Sequence, residues 1–249
     1  MGILPTKQTK RFIDPDRQIV TLYGPPKIGK STTASRIKGG VFLATEAGLN
    51  ALDTHRLDCT NWETLQKAVR ELIAGKHTFT TVIVDTIDQA HKLCMAHMCD
   101  QMNIGHPTEA RDPRQVWGRI NYAFEKFVND LCRTKLGVWM LSHSREEFLD
   151  NTQARTMVIR PTLTGRARDI VLGRSDIVMF AGVDDGGQRQ LWCQRTSVIE
   201  AGDRSGILPA TLPMSYREFA SAMHEGAKPS KPSKKEKVDS EASKEQPLL

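Results

Sequence analysis

A glycine-rich stretch with one lysine and two hydroxyl residues is the part of the sequence best suited to bind phosphate. It matches the pattern G-x-x-x-x-G-K-[ST], with Gly24 and Gly29 as its fixed glycines. The apolar run at 19–22 predicts a strand before it, and the residues from 32 to 38 predict a helix after it. This strand–loop–helix context predicts a phosphate-binding P-loop.

Each fixed position of this loop has a physical reason. Gly24 and Gly29 permit backbone angles that turn successive N–H groups toward phosphate oxygens. Lys30 is predicted to reach the β- and γ-phosphates of a nucleotide, and the Ser31 hydroxyl to bind Mg²⁺. The other residues predicted to contact the nucleotide complete the loop and the start of the helix: Pro25, Pro26, Lys27, Ile28 and Thr32.

A carboxylate at the end of a buried strand is the predicted partner of Ser31 in holding Mg²⁺. The apolar run 82–84 ends at Asp85, and ligands of open α/β sheets bind at the carboxyl ends of strands. Asp85 is therefore predicted to be the Walker B aspartate, with a capping aspartate as the alternative. Thr86 follows it, where many ATPases carry the glutamate that activates water.

Glu46 is the candidate for activating water. It follows the predicted strand 41–44, at the same edge of the sheet as the P-loop, where a carboxylate can orient an attacking water molecule. On the pattern alone, a solvated loop glutamate is the alternative.

Two further residues are candidates for sensing the nucleotide. His143 ends the predicted strand 137–143 and is suited to a hydrogen bond with the γ-phosphate; the alternative is a histidine satisfied by backbone. Arg204 lies in a turn after the last predicted strand. It is either an arginine finger that acts on the nucleotide of a neighbouring copy or an ordinary surface arginine.

The elements around these residues alternate between strands and helices. This alternation predicts an α/β fold with a mostly parallel sheet and helices on both faces. Two long loops are predicted, at 103–117 and 144–156. The predicted helices are 30–38, 61–74, 87–102, 115–135, 165–173 and 212–225. The predicted strands are 18–22, 41–44, 80–86, 137–143, 157–163, 176–181 and 190–195, with Pro161 marking the fifth as an edge strand or hairpin.

Composition divides the chain into three parts. Residues 1–17 are a predicted flexible basic arm, 18–225 a single ATPase-sized domain, and 226–249 a tail rich in Lys, Ser, Pro and Glu that lacks core-forming residues. The net charge of +6 permits a nucleic-acid partner without establishing one. The five scattered cysteines and the polar N-terminus favour a cytoplasmic protein, and no run is apolar enough to span a membrane.

Taken together, these motifs resemble those of the RecA-like P-loop ATPases encoded by phages, and in particular the fourth Sak group of phage recombination proteins. The resemblance covers about residues 17–215 and departs from the family in the Pro25–Ile28 interior of the P-loop. The stretches that carry it, besides Lys30, are 22–26, 42–49, 82–86 and 141–143.

The resemblance implies roles for individual residues. Glu46 matches the family's catalytic glutamate and His143 its polar sensor, with ATP and Mg²⁺ as cofactors. Arg204 matches the arginine of a Lys-x-Arg motif that acts on the adjacent subunit, although Gly202 replaces the lysine. The loops at about 103–117 and 144–164 correspond to the family's DNA-binding loops. The implied backbone contacts are Arg111, Arg114, Arg145, Arg155 and Arg160, with Phe148 as a stacking residue.

These implications predict an ATP-dependent recombination protein that binds single-stranded DNA, anneals or exchanges strands, and assembles with itself as a filament or ring. Two alternatives remain open: a replication accessory ATPase (a helicase or helicase loader), and a nucleotide-gated DNA-binding module with little turnover. In phage systems, tails such as 226–249 contact a single-strand-binding protein, which is a further expected partner.

Overall fold

Apolar and β-branched runs form strands and amphipathic runs form helices in the computed structural model, which describes residues 4–8, 13–151, 154–163 and 165–227. Short 3-10 turns lie at Pro15–Arg17 and Pro107–Glu109. In chain order the other elements are β1 (Ile19–Gly24), α1 (Lys30–Ala34), β2 (Gly40–Ala44), β3 (His55–Asp58), α2 (Trp62–Ala74), β4 (Thr81–Asp85), α3 (Ile87–Gln101), α4 (Pro113–Arg133), β5 (Gly137–Asn151), β6 (Ala154–Pro161), α5 (Gly165–Arg174), β7 (Ile177–Val183), β8 (Arg189–Trp192), β9 (Gly202–Asp203), β10 (Thr211–Pro213) and α6 (Tyr216–Gly226).

The centre of the sheet is parallel. Strands β7, β1, β5, β4, β2 and β3 lie side by side in this order and run in the same direction. On the outer side of β7, strands β8 and β9 pair antiparallel with β7, and β10 pairs antiparallel with β8. Strand β6 pairs antiparallel with β5. The prediction of an α/β fold with a mostly parallel sheet is confirmed. Because the parallel strands share a direction, β1, β2, β4 and β5 reach one carboxyl edge together.

Helices cover both faces of this sheet, as predicted. Val82 and Val84 of β4 face a core formed with α2, α3, α4 and α5. The intervening Ile83 faces the opposite core, formed with α1 and α6. The alternation follows from the two-residue period of a strand, and burial on both sides explains why β4 is apolar throughout.

The helix after the P-loop is shorter than predicted, ending at Ala34 rather than at residue 38. Its Ser and Thr residues form helix weakly, because their hydroxyls compete for the backbone groups. The final helix α6 also starts later than predicted, at Tyr216, because residues 211–213 form strand β10. Strand β3 was not predicted, since all of its residues are exposed and it has no apolar pattern.

The predicted loop at 144–156 is wrong: these residues belong mainly to an antiparallel hairpin. Strand β5 continues past the sheet to Asn151 and pairs with β6 from Ser144–Pro161 to Asn151–Ala154. We call residues 144–161 the hairpin arm. The first strand of the arm is rich in charged side chains, so it lacks the apolar run by which buried strands are recognised. The prediction that Pro161 marks a hairpin agrees with this pairing.

Tyr23 anchors the second strand of the hairpin arm to the sheet. Its single hydroxyl proton is shared between the backbone carbonyls of Ile159 (3.1 Å) and Glu200 (2.8 Å). The Ile159 N–H also donates to the carbonyl of Val198 at 2.6 Å. Burial raises the pKa of Tyr23, which keeps the hydroxyl protonated as a donor. The arm is therefore held by the residue that directly precedes Gly24.

The predicted loop at 103–117 is shorter than expected, because α4 begins at Pro113. Asp112 caps this helix by accepting hydrogen bonds from the N–H groups of Arg114 and Gln115. Helix α4 packs antiparallel on α3, with the rings of His91 and Phe124 4.8 Å apart. With 21 residues it is about 31 Å long, and the sheet portion of β5 about 23 Å. Since α4 ends near the start of β5, its amino end reaches the carboxyl edge of the sheet.

The two ends of the chain are described only in part. Of the predicted C-terminal tail, only Gly226 and Ala227 are described. Of the predicted N-terminal arm, residues 4–8 and 13–17 are described. The three-part division of the chain therefore stays a prediction. Within the described residues, no helix combines the length and the apolar character needed to cross a membrane.

Candidate nucleotide-binding site

The P-loop connects β1 to α1 at the carboxyl edge, and its two fixed glycines are required for different reasons. A β-carbon on Gly24 would collide with the carbonyl oxygen of Ala181 on the neighbouring strand β7. Gly29 has a φ of 116°, a conformation that other residues rarely adopt. Substitution at either position would therefore distort the loop directly before Lys30.

Lys30 is buried, and its ammonium group points back at the loop. Its Nζ donates hydrogen bonds to the carbonyls of Gly24 (2.9 Å) and Pro25 (3.0 Å). Burial lowers the pKa of Lys30, while the carboxylates of Asp85, Asp88 and Glu46 act in the opposite direction. The positive charge of Lys30 is thus held beside the predicted phosphate-binding surface of the loop.

Ser31 and Asp85 lie together, as the Walker pattern predicts. The Ser31 hydroxyl donates to Asp85 Oδ2 at 2.6 Å. Burial raises the pKa of Asp85, and the hydrogen bond from Ser31 opposes this rise. Two oxygen donors so placed fit the preference of Mg²⁺ for carboxylate and hydroxyl oxygens, so these are the residues that would hold the ion.

A cavity of about 450 Å³ opens over the P-loop, within the range of small-molecule sites. Its wall combines apolar residues, such as Ala51 and Leu52, with polar and charged ones. Nine residues of the predicted site line it: Pro26, Lys27, Gly29, Lys30, Ser31, Thr32, Glu46, Asp85 and His143.

Glu46 is held on both of its carboxylate oxygens. The Thr86 hydroxyl donates to Oε1 at 2.8 Å, and His143 Nε2 lies 3.3 Å from Oε2. Thr86 is fixed in turn by Thr45, whose hydroxyl accepts from the Thr86 N–H and donates to the Thr86 carbonyl, both at 2.8 Å. Thr86, at the position where many ATPases carry a glutamate, thus positions Glu46, which lies just beyond the neighbouring strand β2.

Asp88 is a buried residue of the site that the sequence did not single out. Its Oδ1 accepts a hydrogen bond from the Ser142 hydroxyl at 2.8 Å, and its Oδ2 accepts from the His143 N–H at 2.7 Å. Burial raises the pKa of Asp88, although these hydrogen bonds act to lower it. Asp88 therefore fixes the backbone at the point where β5 leaves the sheet.

Two substitutions of Asp88 separate its shape from its charge. Asn at this position can accept from the His143 N–H and donate to the Ser142 hydroxyl, which can itself donate to the His143 carbonyl, 3.1 Å away. Ala leaves the buried N–H of His143 unpaired, which costs about 1–3 kcal/mol. We expect Asp88→Ala to lower the midpoint of thermal unfolding by several degrees, at about 2–4 °C per kcal/mol.

Asp88→Asn is expected to unfold at a temperature equal to or above that of the wild type at neutral pH. A raised pKa in the folded state means that the ionised carboxylate destabilises the fold. That cost disappears as the pH falls through the raised pKa, so the advantage of Asn shrinks in acid. Thermal unfolding at neutral and mildly acidic pH measures this, with the exposed Asp100→Asn on the same helix as control. A loss of stability in Asp88→Asn at neutral pH would contradict the expectation.

Arg204 is not part of this cavity. It follows β9, which pairs with the amino end of β7 at Ile177, opposite the carboxyl edge. Its guanidinium donates to the carbonyl of Gly173 and lies 3.8 Å from Asp176 Oδ1. Arg204 therefore cannot reach the nucleotide site of its own chain, and its action on a neighbouring copy stays a prediction.

The residues predicted to contact DNA lie in two places. Arg111 and Arg114 are exposed around the start of α4. Arg145, half-exposed Phe148 and Arg160 belong to the hairpin arm, where both arginines contact Glu147. Arg155 lies in β6, but its side chain falls outside the described residues. Their contact with DNA stays a prediction.

Comparison with known proteins agrees with this geometry. A family described as an AAA domain matches residues 16–205. The chain is also 23% identical over 207 residues to the SPbeta prophage-derived uncharacterized protein YorG of Bacillus subtilis (strain 168); the match covers 79% of this chain and 62% of that protein. The chain thus spans less than two thirds of the relative's length. The family match covers most of the chain, including the P-loop, Glu46, Asp85 and His143, and on that basis the chain belongs to the AAA-domain family of nucleotide-binding domains.

Proposed function

We propose that this protein hydrolyses ATP with Mg²⁺ and uses the state of the nucleotide to control binding of single-stranded DNA during phage recombination. The observation that carries the proposal is the contact between Glu46 and His143. His143 is the last residue of β5 paired with β1, and the hairpin arm begins at the next residue. Hydrolysis of the γ-phosphate beside Glu46 would therefore be transmitted to the hairpin arm through one side chain, that of His143.

The site supplies the groups that phosphoryl transfer to water needs. Glu46, oriented by Thr86, accepts a proton from the attacking water. Lys30 moves from the loop carbonyls to the phosphates and offsets the negative charge that develops there. Ser31 and Asp85 would hold Mg²⁺, which would supply positive charge to offset that of the phosphates.

The RecA-like character of the domain belongs to this proposal. It is supported by the position of Glu46 after β2, by the absence of a glutamate after Asp85, and by β5 lying between β1 and β4. Arg204 lies at the opposite edge from its own cavity, so if it acts on a nucleotide, that nucleotide belongs to a neighbouring copy. The prophage origin named for the similar protein supports a phage setting.

The DNA-binding part of the proposal rests on charge and position. The arm extends from the carboxyl edge and carries Arg145 and Arg160, and the amino end of α4 brings Arg114 toward the same edge. Exposed guanidinium groups bind the phosphate backbone irrespective of sequence. The net charge of +6 favours such a partner.

Purified protein is expected to hydrolyse ATP faster when single-stranded DNA is added. Binding of a fluorescent oligothymidylate should weaken with salt, and Arg111→Ala with Arg114→Ala should reduce the slope of log K against log salt by about 0.7 per lost contact. Arg70→Ala, an exposed arginine of α2, is the matched control. ATPase activity unchanged by DNA, together with no salt-sensitive binding, would overturn the proposal.

A nucleotide-gated binding module with little turnover is the second candidate. Gly202 in place of a lysine favours it, as does the engagement of Arg204 with Gly173 and Asp176 of its own chain. The turnover rate decides between the two functions. Strand displacement by the purified protein would instead favour a replication helicase.

A further inference from the structure

Three arginines surround one glutamate at the root of the hairpin arm. Glu147 Oε2 lies 3.0 Å from Arg168 Nη1 and 3.3 Å from Arg160 Nη1, and Oε1 lies 3.1 Å from Arg145 Nη2. We call these four residues the Glu147 cluster. Arg168 comes from helix α5, so the cluster joins the arm to the body of the domain.

The pairing of the arm explains why Glu147 takes this position. Arg145 and Arg160 lie directly opposite each other on the two strands, so their side chains share one face. Like charges in such a pair are destabilising. Glu147 follows Arg145 by two residues and therefore lies on the same face, where its carboxylate bridges both guanidinium groups.

Positive charge remains in excess within this group. Arg160 also approaches Glu200, with Nε 3.3 Å from Oε2. Three guanidinium groups thus face two carboxylates. Arg145 Nε is buried without a hydrogen-bond acceptor among the described residues, and the approach of Arg160 Nε to Glu200 is an ion pair that lacks hydrogen-bond geometry. Burial acts to raise the pKa of Glu147, but hydrogen bonds from Arg168 and Arg160 outweigh it and lower the pKa. Glu147 is therefore a fully ionised anion held by a cationic site.

A phosphate has the same recognition chemistry as this carboxylate. Guanidinium groups bind carboxylates and phosphates through the same paired N–H···O geometry. The side chains of Arg160 and Arg168 are 17% and 16% exposed, so they are largely fixed, whereas that of Glu147 is 30% exposed. The carboxylate can therefore turn out to solvent and leave Arg160 and Arg168 in place, whereas Arg145, 35% exposed, can move with the ligand.

We propose that Arg145, Arg160 and Arg168 form a binding site for one backbone phosphate of single-stranded DNA, and that Glu147 occupies this site as an internal competitor until DNA displaces it. This inference rests on the proposed function and adds Arg168 and Glu147 to the arginines of the arm. The site begins at Arg145, two residues beyond His143, which contacts Glu46; this is about 7 Å along the strand. DNA that displaces Glu147 thus acts on the strand that carries the sensor.

Replacing Glu147 by glutamine tests this competition. Glu147→Gln keeps the size of the side chain and removes its charge, so a fluorescent oligothymidylate should bind about fivefold more tightly at 0.1 M salt. Glu146→Gln is the matched control, because it makes the same change of charge on the opposite face of the strand. Equal or weaker binding by Glu147→Gln, or an equal gain in Glu146→Gln, would overturn the proposal.

A second substitution keeps the test valid if Glu147→Gln disturbs the arm. Arg168→Gln should weaken DNA binding and flatten its salt dependence, whereas Arg166→Gln, an exposed neighbour paired with Glu125, should change neither. Equal behaviour of these two variants would contradict the site. Failure of the wild type to bind DNA in a salt-sensitive manner would sink the proposed function too. Wild-type binding without these differences would refute only the role of the cluster.

Discussion

Replacing Glu46 by glutamine is expected to lower the rate of ATP hydrolysis by about 10²–10⁴-fold, the usual contribution of a general base. Glutamine keeps the size of the side chain and can still accept a hydrogen bond from Thr86, whose hydroxyl lies 2.8 Å from Glu46 Oε1. It cannot accept the proton of the attacking water. ATP binding should therefore persist while turnover is lost.

Single-turnover hydrolysis and binding of a fluorescent ATP analogue measure the two effects separately. Glu71→Gln, an exposed glutamate on α2, serves as the matched control for the change of charge. If Glu46→Gln lost nucleotide binding together with hydrolysis, Glu46 would have a structural role and the assignment as general base would be wrong.

Lys30→Ala is expected to reduce turnover by about 10²–10³-fold, comparable to the loss of one preorganised donor in a buried site. The fold should survive, because burial lowers the pKa of Lys30 and so marks its charge as a net cost to the folded state. Steady-state ATPase measurements and thermal unfolding test the two statements. Lys38→Ala, exposed and just beyond α1, is the control. A Lys30→Ala protein that turned over ATP normally would refute the P-loop assignment.

The same lowered pKa predicts a pH limit for the proposed ATPase activity of the wild type. Lys30 loses its proton, and with it the charge that binds phosphate, at a lower pH than an ordinary lysine would. The ATPase rate should therefore fall on the alkaline side before free lysine titrates. Bound nucleotide raises the pKa of Lys30 again, so the fall should be less pronounced at saturating ATP.

The sequence predicted those parts of the site that depend on local patterns. The P-loop, the strand that ends at Asp85 and the strand that ends at His143 each have a contiguous signal, either glycine spacing or an apolar run. Glu46 needed only the rule that ligands bind at the carboxyl ends of parallel strands. These elements meet in the structure because β1, β2, β4 and β5 share one edge.

Contacts between distant residues had no such signal. Asp88 acquires its role from Ser142 and His143, which are more than fifty residues away along the chain. The first strand of the hairpin arm is mostly charged or polar and has no continuous apolar run, so the periodicity of apolar residues cannot reveal it. Edge strand β3 was not predicted for the same reason, because it is exposed at every position.

The bond from Tyr23 to Ile159 has a mechanical consequence. Each strand of the hairpin arm is fixed to a different part of the nucleotide site. Strand β5 continues from His143, beside Glu46, and strand β6 is bonded to Tyr23, the residue before Gly24. If the arm binds single-stranded DNA as proposed, tension on that DNA would pull on both strands together. The force would act at the Glu46 side of the site and at the P-loop, so the rate of ATP hydrolysis would depend on the load on the DNA.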